Sequence, residues 1–211
     1  MGKFVIIAAI AAVFVAAVVY AALAGQRRTR YLEGLAAERG WNFSRLDDAG
    51  VKGRLEAVFP EEEFNPANLM KADGLVLFEC GYSTRNRRPI ALGAGVLFPV
   101  VRGPDTLVEI IARTAVDAAL LGKGIDLGDR TFADRFLVYS KDEAAAKRLL
   151  DDRLRAVLLK HAAEDRWIRA RINLTRDHAA VLVGALPGAN DWEAALNFAR
   201  EIEGALAARA R

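Results

Sequence analysis

A single cysteine, Cys80, is the entire thiol content of this 211-residue chain. An intramolecular disulfide is thereby excluded, which fits a reducing compartment. Histidine is nearly as scarce, with only His161 and His178. No Cys, His, Asp or Glu set has metal-ligand spacing and no nucleophile sits beside a base, so no metal or cofactor is expected. A concentrated basic face is also missing. Thirty Lys and Arg stand against 27 Asp and Glu, and much of the +3 excess lies in Arg27, Arg28 and Arg30, which leaves a nearly neutral body and argues against nucleic acid as a partner. Gly122-Lys123-Gly124 lacks the spacing of a phosphate loop and reads as a turn. Internal repeats, low-complexity tails and proline-rich linkers are absent.

What is present first is a long greasy run. Phe4 to Gly25 is 22 residues without a charge; at about 1.5 Å per residue it makes a helix of roughly 33 Å, enough to cross a hydrocarbon core. Apolar residues cover every side, and Tyr20 sits near the end, where interfacial aromatics belong. A cleaved signal peptide is the rival reading, because Ala22-Leu23-Ala24 before Gly25 has the small-x-small form of a cleavage site; the product would then be secreted after a cut near Ala24. Against it, the run is longer than the usual signal core, and Arg27, Arg28 and Arg30 follow at once. The positive-inside rule then puts the N-terminus outside and the C-terminal domain in the cytoplasm, in a single pass through the inner membrane. The three arginines are also candidates for contact with anionic headgroups. Residues 1–3 are thus a short flank, 4–25 the transmembrane helix, 26–40 a juxtamembrane helix stopped by Gly40, and 41–211 one cytoplasmic domain.

Within that domain Trp41 to Ser44 alternates as a short strand, and Asp47-Asp48 forms a turn. Val51 to Asp73 reads mostly as loop, with Phe59-Pro60 and Asn65-Pro66 as breakers, Glu61-Glu62-Glu63 as a solvated acidic cluster and room for a short helix around Asn68. Gly74 to Tyr82 is a strand paired with Pro89 to Val101. The loop between them carries Arg85, Arg87 and Arg88, a candidate anion or partner contact. Cys80 reads as a small core residue. Residues 106–121 are open between strand and helix, with a strand then a short helix preferred. Arg135 to Tyr139 is a strand; Ser140 to Glu143 matches a capping box, opening a helix to about Ala163 that ends near His161. Trp167 to Thr175 alternates, with Ile168, Ala170, Ile172 and Leu174 on the packed side and Arg171 and Asn173 on the wet side, so Leu174→Asp should be severe and Arg171→Asp mild. A hairpin returns through Ala179 to Val183, and Asn190 caps a last helix whose stripe of Trp192, Ala195, Leu196, Ala199, Ile202 and Leu206 covers the sheet. The class is α+β, antiparallel strands covered by amphipathic helices behind a transmembrane helix.

The order of anchor, basic flank, LEGLAAERGWNFS, LVLFECGY with its basic loop, and GIDLGDRTFADRFLVYSKDEAAAKRLL resembles a group of uncharacterised prokaryotic single-span membrane proteins, known only as domains of unknown function. The resemblance spans nearly the whole chain, most specifically at Gly40 to Phe43 and Ile125 to Leu150. It implies an anchor plus a globular domain and assigns no catalytic residue. In the second block Asp126 and Asp129 shape a turn, Phe132 and Phe136 enter the core and Ser140 caps. The sequence therefore favours a non-catalytic interaction or scaffold module, with the lipid bilayer and another protein as partners. A lipid or small-ligand binder, or a tethered enzyme without a recognisable motif, are the alternatives, and catalytic residues remain unknown.

Overall fold

The computed structural model describes the backbone of residues 2–47, 50–84, 91–101, 103–113, 122–162, 170–183 and 189–209, and their side chains apart from 2–11, 84, 91, 189 and 190. Gly2–Arg39 form one unbroken helix, α1, so the apolar run and the segment after it are a single element. It ends as glycine ends a helix. Gly40 takes a φ of 69°, its N–H donates to Ala37 O at 3.2 Å and the Trp41 N–H donates to Ala36 O at 2.8 Å, the double bond of a Schellman stop. The helix changes character along its length. Val13, Phe14, Val15, Val18, Val19, Tyr20 and Leu23 point all round the axis and are 48–74% exposed, whereas Leu32, Leu35 and Ala36 are buried. Among the described residues no helix is long and apolar enough to cross a membrane; the described side chains of the apolar run begin at Ala12.

The body is α+β. Among the described residues eight strands form one wholly antiparallel sheet: β1 (Asn42–Leu46), β2 (Glu62–Ala72), β3 (Leu75–Thr84), β4 (Ala91–Pro99), β5 (Val108–Ala112), β6 (Phe136–Ser140), β7 (Arg171–Leu174) and β8 (His178–Val183). Their order is β1-β2-β3-β4-β8-β7-β5-β6. The helices after α1 among the described residues are α2 (Val51–Val58), α3 (Arg130–Ala133), α4 (Glu143–Leu149), α5 (Asp152–Ala162) and α6 (Ala189–Ala208). Because side chains alternate along a strand, the sheet feeds two cores. Leu75 and Leu77 of β3, Val96 and Phe98 of β4, and Ile172 and Leu174 of β7 face α1, α5 and α6. Val76, Phe78 and Cys80 of β3, with Leu97 and Leu182, face α2 through Val51, Leu55 and Val58. The expected stripe of the last helix, from Trp192 to Leu206, is buried in the larger core.

Several expectations need correction. Val51 to Asp73 is not loop: it contains α2 and the whole of β2. The Asp47 carboxylate receives the N–H groups of Val51 and Lys52, both at 2.8 Å, and so supplies α2 with the cap that Gly50 cannot. Pro66 is accommodated because β1 pairs only as far as Ala67, so the proline ring lies beyond the end of that neighbour. The helix foreseen around Asn68 is a β-bulge, where the register slips between Ala67 and Met70 and Asn68 takes a φ of 50°. Glu62 is not solvated but 3% exposed.

The helix from Ser140 to Ala163 is two helices. Asp142 caps the first by accepting from Ala145 N at 2.8 Å, while Ser140 Oγ receives the Asp142 N–H instead of capping the helix. Asp151 caps the second by accepting from Leu154 N at 3.0 Å, a local alternative that breaks the run at Leu150. The last helix begins at Ala189, which places Asn190 inside its first turn. Residues 106–121 include strand β5; the helix preferred after it falls on 114–121, outside the described residues.

Candidate functional site

Two constructions place charge where the fold would otherwise bury apolar surface. The first joins α1 to the sheet. Glu79 lies in the middle of β3 and is buried, so its carboxylate needs partners. Arg28, one turn below Gly25 on α1, donates from Nε to Glu79 Oε1 at 2.7 Å, and its Cζ lies 5.8 Å from the ring centroid of Tyr31. The β2 bulge turns Asn68 so that Nδ2 donates to the other oxygen, Oε2, at 2.8 Å. Helix, bulge and strand are tied at one carboxylate, directly above the buried Leu32 and Ala36. Beside this tie, a groove of about 490 Å³ runs between Gly25, Gln26, Thr29 and Arg30 on α1 and Arg45, Ala67 and Asn68 on β1 and β2. Arg45 reaches Glu33 at 2.9 Å across its rim, and both side chains are more than half exposed.

The second construction lies on the α2 face. Arg171 donates from Nε and Nη2 to Glu109 Oε1 at 3.1 and 2.6 Å and from Nη1 to Glu62 Oε1, with its guanidinium 5.2 Å from the centroid of Phe59. Burial alone would lower the pKa of Arg171, but the charges of Glu62 and Glu109 and their hydrogen bonds outweigh it and hold it above the ordinary value. Asn173, also on this side of β7, is 1% exposed and donates from Nδ2 to Val58 O at 2.9 Å. The side expected to be wet is therefore covered by α2 and neutralised by paired charge. These groups brace the face: Nε, Nη1 and Nη2 of Arg171 each engage a carboxylate, and the thiol of Cys80, which feels the charge of Glu62, is buried and held protonated.

Of the residues singled out from sequence, Arg27 and Arg30 are exposed on α1, while Arg28 turns inward to Glu79. Arg85, Arg87 and Arg88 lie outside the described residues. Cys80 is 3% exposed, and burial first, then the charges of Glu62 and Glu79, pushes its thiol up to about 12, so it is inert at neutral pH. His161 is buried between α5 and α6, with Nε2 3.3 Å from Glu201 Oε2 and its ring 4.5 Å from that of Phe198. Among the described residues no three His, Cys, Asp or Glu side chains cluster to hold a metal. Glu79 and Arg45 carried no mark in the sequence and Asn68 stood out only as the centre of an expected helix, although an acid inside LVLFECGY signals a buried charge that must be paired.

No protein-family model and no curated protein matches the chain. Among solved structures it is similar to the crystal structure of the mycobacterial trehalose monomycolate transport factor A, TtfA. The TM-score is 0.57 and the identity 15%, over 84% of this chain and 93% of that one. A likeness at this identity establishes a shared α+β fold.

Proposed function

We propose that this chain is a single-span membrane protein whose α+β domain is held at the cytoplasmic face of the inner membrane and acts by contact with another protein rather than by catalysis. The observation that carries the reading is the continuity of α1. A helix that is apolar and exposed on every side at Val13 to Leu23 cannot rest in water without a cover, and it leads without a break into the part pinned by Arg28, Leu32 and Leu35. In sequence the uncharged stretch reaches back to Phe4, long enough to span. Arg27 and Arg30 follow it, which supports the inward orientation of the domain. Cleavage near Ala24 fits less well, since proteases take their substrates extended and Ala22 to Gly25 are helical.

A stiff junction has a mechanical consequence. With Arg28 only about 4.5 Å along the helix axis from Gly25, the domain hangs directly below the headgroups and cannot swing on a linker. That suits a module that presents a fixed face to a membrane-embedded partner. The similar mycobacterial protein is a trehalose monomycolate transport factor, and by analogy such a module would serve transport at the membrane. A reporter fused after Arg211 tests the orientation: activity confined to the cytoplasm supports it, and activity on the outer side alone overturns it.

A further inference from the structure

We propose that the groove between α1 and the bulged strand β2 seats the anionic headgroup of a membrane phospholipid, with its phosphate between Arg30 and Arg45. This rests on the anchored reading above. The groove opens at Gly25, where the uncharged run ends, and an added Cβ there would meet nothing within 4 Å. Its polar wall offers the guanidinium groups of Arg30 and Arg45, the Thr29 hydroxyl and the Gln26 and Asn68 amides, a set of donors suited to phosphate oxygens.

The local charge favours an anion. Glu79 is occupied by Arg28 and Asn68, and Glu33 by Arg45, so three guanidinium groups face two carboxylates that are already engaged. The Arg45–Glu33 pair is solvent-exposed and therefore weak, so Arg45 can leave it for a bidentate phosphate at little cost. What selects a lipid over a free phosphate is the apolar surface beside the groove: Val19 and Leu23 stand exposed on the helix above it. An acyl chain lies along them while its phosphate occupies the groove.

The test uses the full chain reconstituted in phosphatidylcholine vesicles containing a minority of phosphatidylglycerol, extracted in mild detergent, with the retained lipids weighed by native mass spectrometry. Wild type is expected to keep phosphatidylglycerol over phosphatidylcholine by about 30-fold, the combined pull of two arginines near a surface. Arg30→Gln with Arg45→Gln should abolish that preference, Arg30→Lys with Arg45→Lys should keep most of it, and Glu33→Gln, which frees Arg45, should raise it. An unchanged preference in both the paired glutamine variant and Glu33→Gln overturns the groove while leaving the anchor intact. Displacement of phosphatidylglycerol by millimolar inorganic phosphate would mark a site for soluble anions and overturn the lipid assignment. Recovery of the chain in the aqueous phase, bound to no vesicle, would instead overturn the anchored reading itself.

Discussion

Replacing Arg171 by methionine keeps the apolar stem of the side chain but removes the guanidinium that touches both Glu62 and Glu109. Glu62 is then a carboxylate 3% exposed whose Oε2 already has no hydrogen-bond partner. Removing one member of a buried pair costs about 3–5 kcal/mol. Arg171 retains 30% and Glu109 23% side-chain exposure, and solvent screening lowers the expected loss to about 2–4 kcal/mol. For a domain of this size that is a fall in Tm of about 5–15 °C. Adding Glu62→Gln to Arg171→Met should recover about 1–2 kcal/mol, since a neutral amide is cheaper to bury than an unpaired carboxylate. Urea unfolding of the full chain in dodecyl maltoside, followed by far-ultraviolet circular dichroism, measures both. If Arg171→Met lies within about 0.5 kcal/mol of wild type, or the double variant is no more stable than the single, the buried-pair explanation is wrong. Arg171→Asp, which would gather three carboxylates, should be as damaging as Leu174→Asp rather than mild.

Other outcomes follow from close packing, the helix junction and titration. Gly95→Ala would drive a Cβ to 2.2 Å from Val181 O and 2.8 Å from Phe78 Cζ, so a loss of about 2 kcal/mol or more is expected in the same urea assay, and near-neutrality would contradict the packing. Arg28→Met should leave Glu79 half-paired and loosen α1 from the sheet, seen as faster limited proteolysis between Gly25 and Gly40; unchanged cleavage would show that the tie is not needed. The pKa of His178 is held below 6.5 by burial and then by Arg54, partly offset by Asp177. The unfolded chain therefore takes the proton first, and the stability present above about pH 6.5 is lost as pH falls toward the folded value. His178→Gln should flatten the Tm-against-pH slope in that window, and an unaltered slope would remove His178 as its source.

Local patterns revealed the elements whose partners are local. Gly40, the β7–β8 hairpin and the 3.6-residue stripe from Trp192 to Leu206 each state their structure within a few residues. α2 escaped because Val51, Leu55 and Val58 form a short stripe interrupted by Gly53 and followed by Phe59-Pro60. β2 escaped because Pro66 reads as a breaker until the end of β1 is known. Asp73-Gly74, both at positive φ between Ala72 and Leu75, was a legible hairpin turn read instead as the edge of a loop. The buried charges were the least visible. Glu62 and Arg171 meet across 109 residues, so alternation alone assigned Arg171 to solvent when α2 covers that face. Glu79 was the exception, an acid within an apolar strand that asks for a partner, which proved to be Arg28 of the helix thought to face headgroups.

Labelling of single introduced cysteines in oriented membranes addresses the anchor and the side of the domain together. Cys80 is buried and its thiol pushed up to about 12, so it contributes little background. With a membrane-impermeant maleimide, Lys141→Cys should react in inside-out vesicles and not on intact cells, while Val18→Cys should react in neither. Labelling of Lys141→Cys on intact cells, or of Val18→Cys as readily as Lys141→Cys in vesicles, would mean that α1 does not hold this domain beneath the inner membrane.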